Sequence, residues 1–310
     1  MYGHTSYGAP VAWFVAKRCG AHNITRLYGN FLFPFLSNTL ELIGRFEEVF
    51  AFKIPSSFLI ITDDGTRGKQ VAERFNVPAE KVKCWRNGVN RYYDPTFDVE
   101  GFKKILGLSC GQRVVLTVSR LVSNKGVNNL ITAIPQVASE LEGIVFVILG
   151  DGDEKVRLEE LAENLGVTQY VRFVGGVPQE EVAKYINGAD LVVSLSHHGN
   201  ASNGIMEAMA CGKCVLVLDS SDESNLIKHN ETGVLVDPND IPLLPSIMRD
   251  LLLDSDMRTR IGINAMRFAE EHLPTWEARA QMEVKLIEKL VEGNQGRTLI
   301  RDKAIQSFGG

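Results

Sequence analysis

Short apolar runs alternate with amphipathic stretches between residues 112 and 236. Apolar runs of about four to eight residues are typical of buried strands, whereas apolar residues three and four positions apart are typical of helices. The pattern predicts strands at 114–118, 144–149, 171–174, 191–195, 215–218 and 233–236, and helices at 126–140, 153–165, 179–186, 205–210 and 223–228. Regular alternation of the two predicts a doubly wound parallel sheet, so we expect a Rossmann-like α/β domain here.

Residues 1–90 carry a weaker form of the same pattern. It predicts helices at 11–19 and 71–75 and strands at 25–28, 57–61 and 82–85, which are too few for a complete Rossmann-like domain. Asn87-Gly-Val-Asn90 is a turn signal, and residues 275–291 have the periodicity of one amphipathic helix. We therefore expect an incomplete N-terminal Rossmann-like domain (1–90), a linker (91–111), a C-terminal Rossmann-like domain (112–273), and a final helix with a partly ordered polar tail (274–310).

Of the 310 residues, 45% are hydrophobic and 23% are charged, which is the composition of a soluble globular protein. Acidic residues outnumber basic ones, 38 to 33, which argues against a nucleic-acid partner. No apolar run approaches the roughly 18–20 residues that cross a bilayer, and the N-terminus lacks a signal-peptide pattern, so we expect a cytoplasmic protein. Five cysteines suggest neither a disulfide framework nor a zinc site, and we expect no metal.

An aromatic segment around a single proline, 30–36, has two interpretations. It is either a loop that packs on the core of the N-terminal domain or an apolar surface that faces an acceptor or a membrane. The pattern alone leaves both open.

The loop Ser119 to Gly126 follows a predicted strand and opens a predicted helix. Ligands of open α/β sheets bind in the crevice at the carboxyl ends of the strands, within reach of Arg120 and Lys125. An Arg fork and a Lys point charge beside a helix N-terminus suit a diphosphate. A solvated basic pair would have the same sequence, so this segment alone does not decide the function.

The segment from Asn200 to Gly212 also joins a predicted strand to a predicted helix. The free N–H groups at the helix start, around Asn203 and Gly204, favour an anion such as phosphate. Glu207 lies in the first turns of that helix, and its carboxylate is an acceptor suited to a pair of sugar hydroxyls. The arrangement predicts a site for a nucleotide or a sugar phosphate.

Two glycine turns end neighbouring predicted strands. Gly150-Asp-Gly152 resembles the start of a dinucleotide-binding motif, but Lys155 stands at the third glycine position, which argues against a dehydrogenase. We interpret it as a tight turn across which a ligand lies. The second turn includes Val174 and Gly175, where exposed backbone could hold a planar base.

The order of these segments resembles the C-terminal half of the retaining nucleotide-sugar glycosyltransferases of group 1 (family 4 type), which have the GT-B fold. The resemblance covers roughly residues 57–290. It rests on Asn87-Gly-Val-Asn90, Ser119-Arg-Leu with Lys125-Gly126, Gly150-Asp-Gly152, Phe173-Val-Gly175, Glu207-Ala-Met-Ala-Cys-Gly212 and Glu231-Thr-Gly-Val-Leu-Val236.

The resemblance implies roles for these residues. Arg120 and Lys125 would be catalytic and hold the donor diphosphate, and Glu207 would bind the ribose. The other expected donor-binding residues are Ser119, Gly152, Val174, Gly175, Asn200, Asn203 and Gly204. The last long helix would cross back to the first domain.

The chain departs from the family pattern in two places. Gly199 stands where the family often has a Glu that contacts the transferred sugar, with Asn200 and Asn203 close by. Tyr28 stands where the family often has a His, and the chain begins after the family's first strand and Gly-rich loop. Tyr28 and His4 are our candidates for the acceptor side.

The resemblance, together with these residues, implies a metal-independent enzyme that transfers sugar from a UDP- or GDP-linked donor to a sugar, lipid-linked or other hydroxyl acceptor with retention. No cofactor is expected beyond the donor, and peripheral contact with the inner membrane face and the oligomeric state are left open. The alternatives are a nucleotide-sugar-binding module without catalysis and an epimerase of the same fold.

Overall fold

The computed structural model describes residues 1–199, 201–219 and 226–307, with side chains described as far as residue 292. Its N-terminal part contains a parallel four-stranded sheet in the order β1-β2-β3-β4. The strands are β1 (Tyr2–His4), β2 (Ile24–Leu27), β3 (Phe58–Thr62) and β4 (Val82–Trp85), and the helices are α1 (Thr5–Cys19), α2 (Thr39–Gly44), α3 (Phe46–Lys53) and α4 (Gly68–Arg74).

The second sheet is also parallel and has six strands in the order β10-β9-β8-β5-β6-β7. Its strands are β5 (Arg113–Val118), β6 (Ile144–Leu149), β7 (Val171–Gly175), β8 (Leu191–Ser194), β9 (Val215–Leu218) and β10 (Val234–Val236). The helices around it are α5 (Val99–Ile105), α6 (Val127–Glu140), α7 (Lys155–Asn164), α8 (Gln179–Gly188), α9 (Asn203–Ala210), α10 (Leu244–Leu253) and α11 (Ser255–His272). The strand order reverses between β5 and β8, which is where ligands of this fold bind.

Both faces of the larger sheet are covered, which explains the unbroken apolar runs of its strands. In β6, Phe146 and Ile148 pack on one core, which also contains residues of α6, α7 and α10. Val145 and Val147 point to the opposite core, formed with α8, α9 and α11. Alternate residues of one strand thus serve two cores.

The last helix, α12 (Trp276–Ser307), packs on the N-terminal sheet. Leu286 lies against Ile24 and Ile60. Beside this contact, the Arg279 guanidinium is 2.7 Å from the Glu283 carboxylate, which also accepts a hydrogen bond from the Tyr2 hydroxyl. The helix, which follows the second domain in the chain, is therefore held on the first sheet by an apolar contact and a polar cluster.

The structure contains elements that the apolar pattern did not predict. They are the short β1, α2, α3, α10, α11 and, inside the expected linker, α5. Helix α1 begins at Thr5 rather than at 11. The sequence pattern began it too late because Gly8 and Pro10, which favour turns, lie in its first turns. β1, α2, α3 and α5 are short, so their local pattern is weak. Helices α10 and α11 are longer and amphipathic, and they were overlooked in the sequence.

Two predictions at other places need correction. Residues 226–228 of the helix predicted at 223–228 are not helical, and residues 223–225 lie outside the described residues. The final helix runs to Ser307, well beyond the predicted end at 291, although Gly293 and Gly296 lie on its path.

The aromatic segment 30–36 packs mainly on the N-terminal core. Leu32 is fully buried, Phe33 and Leu36 pack against the same cluster, and Phe31 remains 42% exposed. The first interpretation of this segment is therefore the better one. Among the described residues, no helix combines the length and the apolar character that a membrane crossing requires.

Candidate functional site

The carboxyl ends of the strands in the two sheets face each other across a cleft. Asn87 follows β4, and its side-chain amide donates to Oδ1 of Asn203, the first residue of α9 (3.1 Å). The rings of Phe31, after β2, and His198, after β8, have centroids 6.2 Å apart. The candidate donor residues of the second sheet thus lie opposite the loops that end the strands of the first.

The loop after β5 brings two cations to this cleft. Lys125 closes a single 3-10 turn, and the residue behind it, Gly126, has a φ of +67°. A Cβ on Gly126 would fall 2.1 Å from the carbonyl oxygen of Leu195, so the backbone can approach β8 only without a side chain here. This close approach directs Lys125 to the switch point of the sheet.

Lys125 and Arg120 are close enough to affect each other electrostatically. Burial lowers the pKa of Lys125, the positive charge of Arg120 lowers it further, and Asp64 from the N-terminal domain opposes both. Lys125 is half-buried and Arg120 is exposed, so the Lys125 charge is the less screened of the two and is the one that gains more from a bound anion. The structure therefore brings Arg120 and Lys125 together, as a diphosphate site requires.

Ser119 lies between β5 and this pair. Its hydroxyl oxygen is buried and has no hydrogen-bond partner among the described residues. A buried polar atom without a partner is costly, and a ligand oxygen is one way to satisfy it.

The start of α9 lies directly against the end of β5. The Ser202 hydroxyl caps the helix by accepting from the backbone N–H of Ile205 (3.4 Å). A Cβ on Gly204 would lie 3.2 Å from the carbonyl oxygen of Val118, which is tighter than ordinary contact. The glycine thus lets the positive end of the helix sit beside Arg120 and Lys125. Asn200, another expected donor residue, lies outside the described residues.

Glu207 is only 5% exposed, and its carboxylate is held by two amides. Gln179, the first residue of α8, donates to Oε1 (2.8 Å), and the side chain of Asn90 also hydrogen-bonds to the carboxylate. Burial raises the pKa of Glu207 to about 7, although both hydrogen bonds favour the charged form. The orientation of the carboxyl group is thus fixed, and its pKa lies close to neutral pH.

We expect nucleotide affinity to fall as the pH drops below about 7. Protonation of Glu207, whose pKa is about 7, removes acceptor capacity that ribose hydroxyls would use. Affinity should be roughly tenfold lower one pH unit below this pKa than well above it, for a ligand that requires the carboxylate. Calorimetric titrations across this range, with Glu207→Gln as control for ionisation of the nucleotide itself, would check it. Equal pH dependence in both proteins would contradict the assignment.

The glycine turns after β6 and β7 complete the floor of the cleft. Gly152 has a φ of +156°, and its Cβ would lie 2.4 Å from the carbonyl oxygen of Leu121. Gly150 donates its N–H to the carbonyl of Gly175 (2.9 Å), which joins the two turns. No described atom lies within 4 Å of a Cβ built on Gly175, whereas Val174 is half-buried against the core. Open space at Gly175 is compatible with a planar base.

On the opposite side of the cleft, the loop after β3 contacts the loop after β8. The carbonyl oxygen of Asp64 accepts from the N–H of Ala201 (3.3 Å). Gly199 has a φ of +73°, and its Cβ would lie 2.5 Å from the same oxygen. The position where the resembling family often has Glu is therefore held as glycine by the backbone of the other domain.

His4 and Tyr28 lie at the carboxyl ends of β1 and β2. Nδ1 of His4 is 2.7 Å from the Tyr28 hydroxyl, and the two rings stack. The guanidinium of Arg26 lies 4.9 Å from the centre of the Tyr28 ring. The two acceptor-side candidates therefore form one polar pair at the edge that also carries Asp64 and Asn87.

Sequence reasoning missed four residues that the structure adds to the site. They are Asp64, Asn87 and Asn90, which come from the N-terminal domain and the turn behind it, and Gln179. Asn87 and Asn90 stood in a recognised turn, but a turn signal does not reveal which partners its side chains reach. Asp64 and Gln179 carried no local signal.

The fold and the sequence agree on the class of protein. The family described as glycosyl transferases group 1 matches residues 98–268, and the chain belongs to this family. An uncharacterized glycosyltransferase of Methanocaldococcus jannaschii is 30% identical over 237 residues, which are 75% of this chain and 60% of that protein. The GDP-mannose-dependent alpha-(1-6)-phosphatidylinositol monomannoside mannosyltransferase of Mycobacterium tuberculosis is 31% identical over 160 residues, 49% of this chain and 42% of that protein.

Solved structures share the fold at low sequence identity. Anabaena HepE in complex with UDP and glucose matches with a TM-score of 0.79 and 22% identity, covering 93% of this chain and 77% of HepE. Sucrose-phosphate synthase from Thermosynechococcus elongatus matches with a TM-score of 0.79 and 21% identity, covering 94% of this chain and 73% of that one. The expectation of an α/β protein of the GT-B type with two parallel-sheet domains is confirmed. The chain spans only about two-fifths to three-fifths of the length of these two curated relatives.

Proposed function

We propose that this chain is a glycosyltransferase that takes a sugar from a UDP- or GDP-linked donor and transfers it to a hydroxyl of a sugar or lipid-linked acceptor. The observation that carries the proposal is the convergence at the β5/β8 switch point. Arg120 and Lys125, the start of α9 and the buried carboxylate of Glu207 meet there. This combination matches a nucleoside diphosphate, because it offers cations to the phosphates and an acceptor to the ribose.

The chemical role of the two cations follows from the departing group. When the sugar–phosphate bond breaks, negative charge grows on the diphosphate. Arg120 and Lys125 are already in place to stabilise it, and preorganised charge of this kind is typically the largest catalytic contribution. Because these residues supply the positive charge, the proposed reaction requires no metal ion. Retention at the anomeric carbon is proposed from the family to which the chain belongs.

The proposed donor set is Glu207 for the ribose, Gly175 and Val174 for the base, and Asn203, Gly204 and Ser119 for the phosphates. Gly199 cannot contact the transferred sugar with a side chain, so that sugar must be recognised by neighbouring groups. The names of the relatives support both candidate bases, since one uses GDP-mannose and another was solved with UDP and glucose. His4 and Tyr28 are proposed to face the acceptor.

Calorimetric titration of the purified chain with UDP and with GDP, in a buffer containing a metal chelator, tests the donor site first. We expect saturable binding of one of the two. Turnover is then measured as nucleotide released from UDP-glucose or GDP-mannose, and the anomeric configuration of the product is determined by NMR. Binding of neither nucleotide would contradict the proposed site. Binding without turnover against a panel of glycan and glycolipid acceptors would favour a binding module.

A further inference from the structure

Asp64 lies where the loops after β2, β3 and β8 meet. Its backbone oxygen faces the loop after β8, where it accepts from the N–H of Ala201 and lies 2.5 Å from a Cβ built on Gly199. Its carboxylate faces the loop after β2, because a Cβ built on Gly29 would overlap Oδ2. Gly29 also has a φ of +98°, so the backbone and the adjacent carboxylate both require glycine there. The carboxylate is thus enclosed on the N-terminal side of the cleft.

Hydrogen bonds fix the orientation of this carboxylate before any ligand arrives. Oδ1 accepts from the backbone N–H of Thr66 (3.1 Å) and from the Thr66 hydroxyl (2.6 Å). Thr66 is itself held by Asn30, whose side-chain amide donates to the Thr66 backbone oxygen (2.9 Å). Both hydrogen bonds from Thr66 use Oδ1, so Oδ2 of Asp64 keeps acceptor capacity for the hydroxyls of a ligand.

Asp64 also lies beside the residues proposed to hold the donor diphosphate. Its negative charge raises the pKa of Lys125, so the two groups interact across the cleft. The sugar of a nucleotide sugar is bonded directly to the diphosphate, so a diphosphate at Lys125 and the start of α9 places the sugar next to them. Gly199, in the loop before α9, offers that sugar no side chain. Asp64 therefore presents a carboxylate from the opposite domain to the place that the transferred sugar would occupy.

We propose that Asp64 selects the transferred sugar: its carboxylate accepts hydrogen bonds from the hydroxyls of a neutral sugar and repels a sugar that carries a carboxylate. Repulsion of the wrong ligand is a common source of specificity. The neighbouring acidic residue, Asp63, is paired instead with the Arg86 guanidinium, whose Nε is 3.3 Å away. This inference rests on the proposed function, because it requires a donor diphosphate at Lys125.

Calorimetric titration of the purified chain tests the inference. The ligands are UDP, UDP-glucose and UDP-glucuronate, or GDP, GDP-mannose and GDP-mannuronate if GDP binds better. Burial raises the pKa of Asp64, so a buffer at about pH 8 is used to favour the ionised carboxylate. We expect the wild type to bind the neutral nucleotide sugar at least about tenfold more tightly than the uronate. Equal affinity for the two would overturn the inference.

The variant Asp64→Asn separates recognition of the sugar from binding of the nucleotide, because the amide keeps the shape of the side chain and an acceptor for Thr66. We expect roughly tenfold lower affinity for the neutral nucleotide sugar, and a preference over the uronate that shrinks to within about threefold. Affinity for the free nucleotide should be unchanged or higher, since a negative charge beside Lys125 is lost. The matched control is Asp256→Asn, an exposed carboxylate on α11, which should behave as the wild type.

The free nucleotide distinguishes the ways in which the experiment can fail. If the wild type binds neither UDP nor GDP, the proposed function fails and the inference fails with it. If the wild type binds one of them, but Asp64→Asn weakens the nucleotide and the nucleotide sugar by the same factor, the inference alone is overturned. A purely structural role of Asp64 would give that result. An equal loss in Asp256→Asn, or a full preference over the uronate in Asp64→Asn, would also overturn it.

Discussion

Replacing Arg120 and Lys125 together with alanine is expected to lower the rate of sugar transfer by at least roughly 10³-fold, to the limit of detection, while the protein remains folded. Both side chains lie at the end of β5, and neither belongs to an apolar core cluster. Lys125 is partly desolvated beside another cation, and Asp64 offsets only part of the cost of its charge, so an anionic ligand would stabilise it further. Losing both removes the charge that would stabilise the departing diphosphate.

The measurement is single-turnover release of nucleotide from saturating donor. Saturation matters because the same variants should also bind the donor less tightly. The matched control is Arg157→Ala with Lys285→Ala, two exposed basic residues outside the cleft, which should keep normal turnover. Single variants show whether the two act as a unit, because residues that share one transition state have strongly non-additive effects. Normal turnover in the double variant would remove both residues from the mechanism.

Replacing Glu207 with alanine is expected to weaken nucleotide binding by about 1–3 kcal/mol, or roughly 5- to 150-fold in Kd. The carboxylate is 5% exposed and fixed by Gln179 and Asn90, so its direction is set before the ribose arrives. Binding then costs little conformational entropy at the Glu207 side chain, so this single acceptor can contribute strongly to nucleotide affinity. Calorimetric titration with the better of UDP and GDP measures it.

Two further variants distinguish contact with the ribose from collapse of the site. Glu207→Gln keeps the volume and should lose affinity nearly as much, since an amide supplies one acceptor where the carboxylate supplies two. Glu163→Ala, an exposed carboxylate on α7, serves as the matched control. Unchanged affinity in Glu207→Ala would exclude the ribose assignment. Loss of affinity together with a lower melting temperature only in the alanine variant would point to a cavity instead.

The free energy of unfolding should also depend on pH through Glu207, and the direction of this dependence follows from its pKa. The folded-state pKa of Glu207 is raised to about 7, so between the ordinary value near 4.5 and that pH the folded state binds more protons than the unfolded state. Stability contributed by this group is therefore lost as the pH rises through that window. Glu207→Gln removes this dependence and should gain stability over the wild type at pH 8 relative to pH 5.

The C-terminal domain was predictable because its signals are local. β6 and β9 have the predicted boundaries. A strand that is buried on both faces appears in the sequence as an unbroken apolar run of the same length, so its ends can be located directly. The glycines at 126, 152 and 204 lie where strands, loops and helices approach within contact distance. Each of these glycines lies in a segment that the sequence predicted to join a strand to a helix. The same segments contain Lys125 and Glu207, so their place at the strand ends could be predicted.

The N-terminal domain was predicted less well for a physical reason. β1 is a three-residue strand at the edge of its sheet, α2 has no buried residue, and α3 buries only Ala51 and Phe52. Periodicity identifies an element by the face that it buries, so an element that buries little has little signature.

Taken alone, the sequence determined the alternation of strands and helices, the family resemblance, and the residues that end β5 and begin α9. Each of these depends on neighbours within one or two turns. The tertiary structure decided which residues from distant segments complete the site. Asp64 lies beside Lys125 and Gly199, Asn87 reaches Asn203, and Gln179 holds Glu207. These contacts join the two sheets or separate loops. The packing of the elements brings these atoms close together, and no local sequence pattern encodes that packing.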